Sequence, residues 1–224
     1  MRSMFDAIAP RYDLINRLMT FGLDQSWRRA TVDALALAPG SLVLDLACGT
    51  GDLTRLAQKE GYRVVGADLS AGMLRANKSG ASLVEADGSR LPFPDGSFDG
   101  LVCGYALRNF TDLAEALGET ARVLRPGGRL AVLEVDAPAS RTLRFGYDVW
   151  FTKVVPVLGG LLSDRDAYSY LPRSVAYLPA APELRRLLGQ AGYSTIGIRP
   201  LAGGLSQLLM ATRAGPPNPN HDPA

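Results

Sequence analysis

Short apolar runs alternate with segments of helical periodicity through the middle of the chain. Five runs rich in strand-forming residues lie at residues 41–46, 63–67, 82–86, 100–104 and 129–135. Three helical patterns lie between them, at residues 53–60, 71–78 and 112–124. Strands that are apolar throughout and separated by helices indicate a parallel sheet that is covered on both faces.

The two ends of the chain follow different patterns. Residues 11–38 predict one or two amphipathic helices, with Pro10 well placed for a first helical turn. Near the other end, residues 183–191 predict a helix, and residues 195–198 and 206–212 predict two strands that pair to close the sheet. The expected fold is therefore α/β, with a doubly wound, mostly parallel seven-stranded sheet.

We expect one domain over residues 1–213. Its predicted parts are an N-terminal helical cap, a cofactor-binding core, an apolar insertion that forms a helical lid, and a closing helix with two strands, at residues 1–38, 39–136, 137–181 and 182–213. The remaining residues, 214–224, are rich in Pro, Asn and Gly, a composition typical of a disordered tail.

The composition of the chain limits the partners, the compartment and the kinds of catalytic site that we expect. A net charge of +2 without a basic stripe argues against a nucleic-acid partner. Residues 1–12 lack the apolar stretch of a signal peptide, and two cysteines without metal-ligand spacing favour a reducing compartment, so we expect a cytoplasmic protein. The single histidine, His221, lies in the tail, which argues against an imidazole base or a metal site in the folded domain.

The strongest chemical signal is a glycine turn between the first strand and the first core helix. Gly49 and Gly51 allow a ligand to approach the backbone closely at a helix N-terminus. Asp68 ends the next strand, where a carboxylate can accept both hydroxyls of a ribose. The third glycine of the dinucleotide fingerprint is absent, which disfavours a nicotinamide oxidoreductase.

Two more polar positions follow strands and should reach the same edge of the sheet. Asp87, after the third strand, can accept a hydrogen bond from an adenine amino group, although it could instead cap a turn. The fourth strand leads into Leu107-Arg108-Asn109, a charged and an amide side chain between apolar neighbours. Because ligand sites lie outside the carboxyl ends of strands, these residues are candidates for a substrate site.

The chain resembles the C-methyltransferases of menaquinone and ubiquinone biosynthesis from residue 4 to about residue 213. The resemblance lies in FDAIAPRYDLINRLMTFGLDQSWR, LPFPDGSFDGLVCGYALRNFTD, RVLRPGGRLAVLEV and VVPVLGG…AYSYLPRSV. It implies a class I, Rossmann-like methyltransferase that uses S-adenosylmethionine. Asp24 and Leu209 depart from the family pattern, in which both positions often carry histidine.

The resemblance also implies roles for individual residues. The expected cofactor-binding residues are Asp45, Gly49, Thr50, Gly51, Asp68, Leu69, Asp87, Gly88 and Gly104. Arg108 and Asn109 match the pair that acts at the quinol. The expected reaction methylates a ring carbon of a prenylated quinol, namely demethylmenaquinol, to give menaquinol.

Ring methylation requires a phenolate or a relayed proton, because a phenol has an unperturbed pKa near ~10. We expect Arg108 to stabilise the phenolate and Asn109 to orient the ring or a relay water. Tyr12 and Asp13 are further candidates for proton relay and closure, or they belong to a helix that only packs on the domain.

The insertion is apolar on nearly every side of its helical pattern, especially over residues 147–162. A lid for a polyprenyl tail, in peripheral contact with the inner face of the membrane, would use this surface. A self-packed helical cap or a homodimer interface would use it equally well. For the whole chain, the alternatives to a quinol C-methyltransferase are an O- or N-methyltransferase acting on another small molecule, and a catalytically silent scaffold.

Overall fold

A seven-stranded sheet forms the centre of the molecule. The computed structural model describes residue 17 and residues 20–136, 138, 140–150 and 177–215. Within them the strands are β1 Leu42–Leu46, β2 Arg63–Asp68, β3 Ser82–Glu85, β4 Phe98–Gly104, β5 Leu124–Val135, β6 Tyr193–Leu201 and β7 Ser206–Arg213. They lie in the order β3-β2-β1-β4-β5-β7-β6.

The sheet is parallel from β3 to β5 and becomes antiparallel at β7 and β6. From β1 the chain builds the sheet first in one direction, through β2 and β3, and then in the other, through β4 and β5, so that β2 and β4 both pair with β1. This reversal creates a crevice at the carboxyl ends of the strands, where ligands bind in open α/β sheets.

Helices cover both faces of the sheet. They are α1 Leu23–Asp33, α2 Asp52–Lys59, α3 Ala71–Ala76, α4 Leu113–Val123, α5 Arg141–Val149 and α6 Ala181–Gln190, with short 3-10 turns at Leu107–Asn109 and Ala202–Gly204. The Ser70 side chain caps α3 by accepting the Met73 N–H, and Asp112 caps α4 by accepting the Glu115 N–H. None of the described helices has the length and hydropathy needed to cross a bilayer.

Alternate residues of the strands supply two apolar cores. On one face, Leu44 of β1 belongs to a cluster with Leu117 of α4 and Leu184 of α6. On the other face, Val43 belongs to a cluster with Val32 of α1 and Leu53 of α2. The first strand is therefore buried on both sides, which explains its continuous apolar sequence.

The predicted α/β fold with a seven-stranded, mostly parallel sheet is confirmed. The bounds of two strands differ because β5 begins at Leu124 and pairs with Phe98 of β4 across a register shift, ahead of the predicted starts at 129 and 100. β6 is also longer than predicted and contains Pro200, which is tolerated because β6 is an edge strand. Nearly half of the N-terminal cap and most of the insertion lie outside the described residues.

Candidate active site

The glycine turn links β1 to α2 in a conformation that depends on left-handed backbone. Gly49 and Gly51 have φ of 51° and 89°. A Cβ on Gly51 would lie 2.6 Å from the Asn77 Oδ1. Asn77 also donates from Nδ2 to the Gly49 carbonyl at 2.9 Å. The close approach of Asn77 and the positive φ both require glycine at position 51.

Asp68, at the end of β2, fixes the other side of the turn. Its Oδ2 accepts the Gly49 N–H and its Oδ1 accepts the Ser70 N–H, both at 2.8 Å. Each carboxylate oxygen has a second lone pair, so the group can anchor the turn and still accept ligand hydroxyls. Asp68 also lines the cleft above the turn.

Asp87 and Gly88 follow β3 on the same edge. Asp87 Oδ1 accepts the Ser89 N–H at 2.9 Å, so this carboxylate does cap a turn while it also lines the cleft. A Cβ on Gly88 would overlap the Phe110 ring. The glycine therefore lets an aromatic ring from the segment after β4 form part of the cleft wall.

These residues enclose a cleft of about 660 Å³ at the carboxyl edge of the sheet. Eight of the predicted site residues line it: Gly49, Thr50, Asp68, Leu69, Asp87, Gly88, Gly104 and Asn109. Three described candidates do not line it: Asp45, Gly51 and Arg108. Tyr12 and Asp13 lie outside the described residues.

Arg108 lies behind the cleft wall in a buried ion pair. Its Nη1 contacts the Glu134 Oε1, and its backbone N–H donates to the Glu134 Oε2 at 3.4 Å. Glu134 is completely buried in β5 and also accepts the Val135 N–H at 2.9 Å. Asn109, the next residue along the turn, lines the cleft. The two neighbours therefore point in different directions.

Asp45 lies beneath the glycine turn and is completely buried. Its Oδ2 accepts a hydrogen bond of 2.5 Å from the Thr54 hydroxyl, and its Oδ1 has no hydrogen-bond partner among the described residues. Burial raises the pKa of Asp45 to about 7, while Thr54 and Arg28 oppose the rise. Asp45 therefore supports the turn from below as a carboxyl group that titrates near neutral pH.

Arg28 was not among the predicted site residues, yet it lines the cleft from α1. Its Nε lies 3.5 Å from the Asp24 Oδ2 and 3.7 Å from the Asp52 Oδ2. Its guanidinium carbon lies 5.4 Å from the centre of the Tyr105 ring, within the range of a cation–π contact. The four-residue spacing of Asp24 and Arg28 was a signal of this pairing in the sequence.

Both cysteines lie at the same edge. Leu46 of β1 pairs with Cys103 of β4, so the pairing of these two strands places both Cys48 and Cys103 near the glycine turn. Both thiols are buried, and burial raises their pKa well above the ordinary value. At neutral pH they are protonated, which argues against a nucleophilic role.

The sequence is similar to curated methyltransferases over most of its length. A demethylmenaquinone methyltransferase of Thermus thermophilus is 48% identical over 202 residues, which cover 85% of this chain and 91% of the relative. A protein of the same name from Corynebacterium kroppenstedtii is 41% identical, with coverage of 94% and 93%. The ubiquinone/menaquinone biosynthesis C-methyltransferase of Geobacter sulfurreducens is 37% identical, with coverage of 92% and 86%.

Solved structures share the fold at much lower identity. A methyltransferase of Haloferax volcanii, in complex with a methyltransferase activator, has a TM-score of 0.66 at 18% identity, with coverage of 94% of this chain and 98% of that one. A SAM-dependent methyltransferase of Thermotoga maritima also has a TM-score of 0.66, at 19% identity, with coverage of 95% and 99%. These likenesses concern the class I fold alone.

The sequence model of the ubiE/COQ5 methyltransferase family matches residues 1–213. The match covers all the described helices and strands. It confirms the resemblance that the sequence motifs carry. The chain belongs to the ubiE/COQ5 methyltransferase family.

Proposed function

We propose that this protein transfers the methyl group of S-adenosylmethionine to a ring carbon of demethylmenaquinol, giving menaquinol. The observation that carries the proposal is the cleft at the carboxyl edge, in which Asp68 and Asp87 flank the glycine turn. Membership of the ubiE/COQ5 family supports the cofactor and the quinone-type acceptor. The names of the relatives with 41–48% identity favour demethylmenaquinol as that acceptor.

The cleft fits an adenosyl ligand. Its volume of about 660 Å³ lies within the range of small-molecule sites. Asp68 would accept the ribose hydroxyls, and Asp87 would accept the adenine amino group. Gly49 and Thr50 would approach the ligand through the backbone of the turn, and Gly88 leaves room for the Phe110 ring against the nucleoside. Bound there, the cofactor supplies an electrophilic methyl group on a sulfonium.

The residues of the cleft must align the acceptor carbon and exclude water, because an in-line displacement needs no covalent catalyst. We propose that the Asn109 amide orients the quinol hydroxyl or a relay water. Arg108, with its guanidinium against Glu134, would act through Asn109 by holding the turn in place rather than by touching the quinol oxygen. Tyr12 and Asp13 remain candidates for proton relay.

The prenyl tail needs an apolar path out of the cleft. Exposed apolar side chains near both ends of the insertion support such a path: Leu143, Phe145 and Tyr177 are 54%, 74% and 64% exposed. Phe21 is 72% exposed, and the centre of its ring lies 4.6 Å from the centre of the Trp150 ring. We propose that this surface makes peripheral contact with the inner face of the membrane; a homodimer interface is the competing use.

The test is a methylation assay with labelled S-adenosylmethionine and chemically reduced demethylmenaquinone in detergent, read by mass spectrometry. Label on the ring carbon supports the proposal. Asp68→Asn should lose most turnover, whereas Asp33→Asn, an exposed position on α1, should retain it. Label on an oxygen, or confirmed cofactor binding without a methylated quinol, would transfer support to an O- or N-methyltransferase.

A liposome experiment addresses the tail surface. If the apolar surface contacts a membrane, activity with a long-tailed quinol should rise when liposomes replace detergent. Phe145→Ser should reduce that rise without changing activity on a short-tailed quinol. A sedimentation experiment that shows a dimer broken by Phe145→Ser, with no liposome effect, would favour the homodimer interface.

A further inference from the structure

A short segment after α3 contacts the backbone of the glycine turn without lining the cleft. Helix α3 ends at Asn77, whose backbone is extended, with φ of −68° and ψ of 128°. Asn77 and the next residue, Lys78, do not line the cleft, whereas Gly49 and Thr50 of the turn do. The segment therefore lies behind the turn, where it can hold the turn without contacting a ligand in the cleft.

Two carbonyl groups of the turn accept hydrogen bonds from this segment. The Asn77 Nδ2 donates to the Gly49 carbonyl at 2.9 Å, and the Lys78 N–H donates to the Thr50 carbonyl at 3.3 Å. The Gly49 N–H in turn donates to the Asp68 Oδ2 at 2.8 Å. Gly49 is thus held at both of its backbone polar groups, by Asp68 through the N–H and by Asn77 through the carbonyl.

The side-chain amide of Asn77 is itself held in one orientation. Its Oδ1 accepts the Ser79 N–H at 2.9 Å and the Ser79 hydroxyl at 2.6 Å. Since Oδ1 is the only acceptor of the amide, these two bonds direct Nδ2, its donor, towards the Gly49 carbonyl. The amide also packs directly against the turn, because a Cβ on Gly51 would lie 2.6 Å from the Asn77 Oδ1. Asn77 is therefore a donor whose position is fixed in advance.

A turn that contains two glycines needs such a restraint. Gly49 and Gly51 lack a Cβ, and glycine adopts positive and negative φ about equally readily. Without a partner for the Gly49 carbonyl, the peptide group between Gly49 and Thr50 would rotate more easily. The carbonyl and the N–H of a trans peptide point in opposite directions, so a rotation of this group would exchange the sides that they face. The backbone that a ligand meets in the cleft would then change.

We propose that Asn77 is a positioning residue for S-adenosylmethionine, which fixes the peptide group between Gly49 and Thr50 in the orientation that binds the cofactor. Asn77 acts through the turn and does not touch the ligand. The apparent affinity of a ligand falls in proportion to the fraction of protein in the binding conformation. Loss of the Asn77 donor therefore weakens cofactor binding, although the lost bond lies within the protein. This inference rests on the proposed cofactor and adds a residue that sets its affinity.

Calorimetry with S-adenosylhomocysteine measures this effect in two variants. Asn77→Asp keeps the shape of the side chain and the acceptor for Ser79 but removes the donor to the Gly49 carbonyl, whereas Asn77→Ala removes the whole group. Both should raise the Kd roughly 3- to 10-fold, the range of one hydrogen bond between uncharged groups. In steady-state assays the KM for S-adenosylmethionine should rise while kcat stays unchanged. Lys78→Gln, which alters an exposed side chain and keeps the backbone N–H, should leave Kd and KM unchanged.

Hydrogen exchange separates positioning of the turn from a general loss of stability. In both ligand-free variants the amides of residues 47–52 should exchange faster than in the unaltered protein, while those of the central strands β1 and β4 keep their protection. Saturating S-adenosylhomocysteine should restore slow exchange at the turn. An unchanged Kd in both variants, a loss of affinity confined to Asn77→Asp, or faster exchange throughout the sheet would overturn the inference. Failure of the unaltered protein to bind S-adenosylhomocysteine would overturn the proposed cofactor, and the role of Asn77 with it.

Discussion

Because the carboxyl group of Asp45 is buried, we expect the free energy of unfolding to depend on pH in a way that can be calculated. Its pKa is about 7 in the folded protein, against 3.8 for an unperturbed aspartate, because burial disfavours the charged form. Arg28 lowers the pKa and Asp68 raises it, but both effects are smaller than that of burial. The folded state therefore binds a proton more tightly than the unfolded chain between these two pH values.

This pKa difference determines the direction in which the stability of the protein changes with pH. A folded pKa above the unfolded one contributes stability that is fully present below about pH 4 and is lost as the pH rises through about 7. The difference between the folded and the unfolded pKa of Asp45 corresponds to about 4 kcal/mol in the limit. Between about pH 5 and pH 8 the loss of unfolding free energy is roughly 2–3 kcal/mol.

Asp45→Asn removes this titration and nearly preserves the shape of the side chain. Urea unfolding at several pH values gives the free energy of unfolding of both proteins. The difference between the two free energies should change by roughly 2–3 kcal/mol from pH 5 to pH 8, in favour of the variant at high pH. Its offset at pH 5 depends on the new amide, because a buried N–H without an acceptor costs roughly 1–3 kcal/mol. The change with pH is therefore the informative quantity.

The control is Asp33→Asn, which removes an exposed carboxylate from α1. Its stability curve should run parallel to that of the unaltered protein. If the Asp45→Asn curve also runs parallel, then Asp45 is ionised throughout this pH range and burial does not govern its pKa.

Three further predictions concern packing, the ion pair and the quinol site. Gly66→Ala should destabilise the protein by about 1–3 kcal/mol in urea unfolding, because the added Cβ would lie 2.8 Å from side-chain atoms of two neighbouring residues. The control is Gly118→Ala in α4, which has open space around it and should be neutral or stabilising. Arg108→Met should lower the unfolding free energy by about 3–5 kcal/mol, because it leaves a buried carboxylate without its partner. The double variant Arg108→Met/Glu134→Leu should recover most of that loss. Additive losses from the two substitutions would mean that the two side chains are not energetically coupled. Asn109→Asp should lower kcat for the quinol by more than about 100-fold, while the Kd of S-adenosylhomocysteine changes little; an unchanged kcat would mean that charge at this position is irrelevant.

The sequence predicted the sheet well because its buried strands are short, apolar and separated by strong turn signals. The glycine turn and Asp68 were found for the same reason, since they occupy fixed places relative to the ends of β1 and β2. The register shift between β4 and β5 was not predicted, because the Pro-Gly-Gly segment at residues 126–128 is typical of a turn.

The directions of individual side chains were harder to predict. Arg108 and Asn109 were expected to share the quinol site, but they belong to a 3-10 turn, in which successive residues are rotated by about 120°. Asn109 consequently lines the cleft while Arg108 meets Glu134. A charged residue inside the apolar run of β5 was the available signal, because a completely buried carboxylate nearly always has a partner. Arg28 was missed because helix α1 approaches the cleft from outside the strand-and-turn pattern.

The charges around the cleft bear on the proposed role of the neutral Asn109 amide at the quinol. Among the described residues, one guanidinium, that of Arg28, and five carboxylates line it: those of Asp52, Asp68, Asp87, Asp112 and Glu115. Such an environment favours a cationic ligand such as a sulfonium and opposes a phenolate. Glu134 cancels much of the Arg108 charge at close range, so that cation contributes little in compensation. In its proposed role, Asn109 would orient the quinol hydroxyl without adding negative charge. An aspartate there would add a sixth carboxylate, and two like charges about 4 Å apart repel by up to ~4 kcal/mol at an effective dielectric constant of about 20.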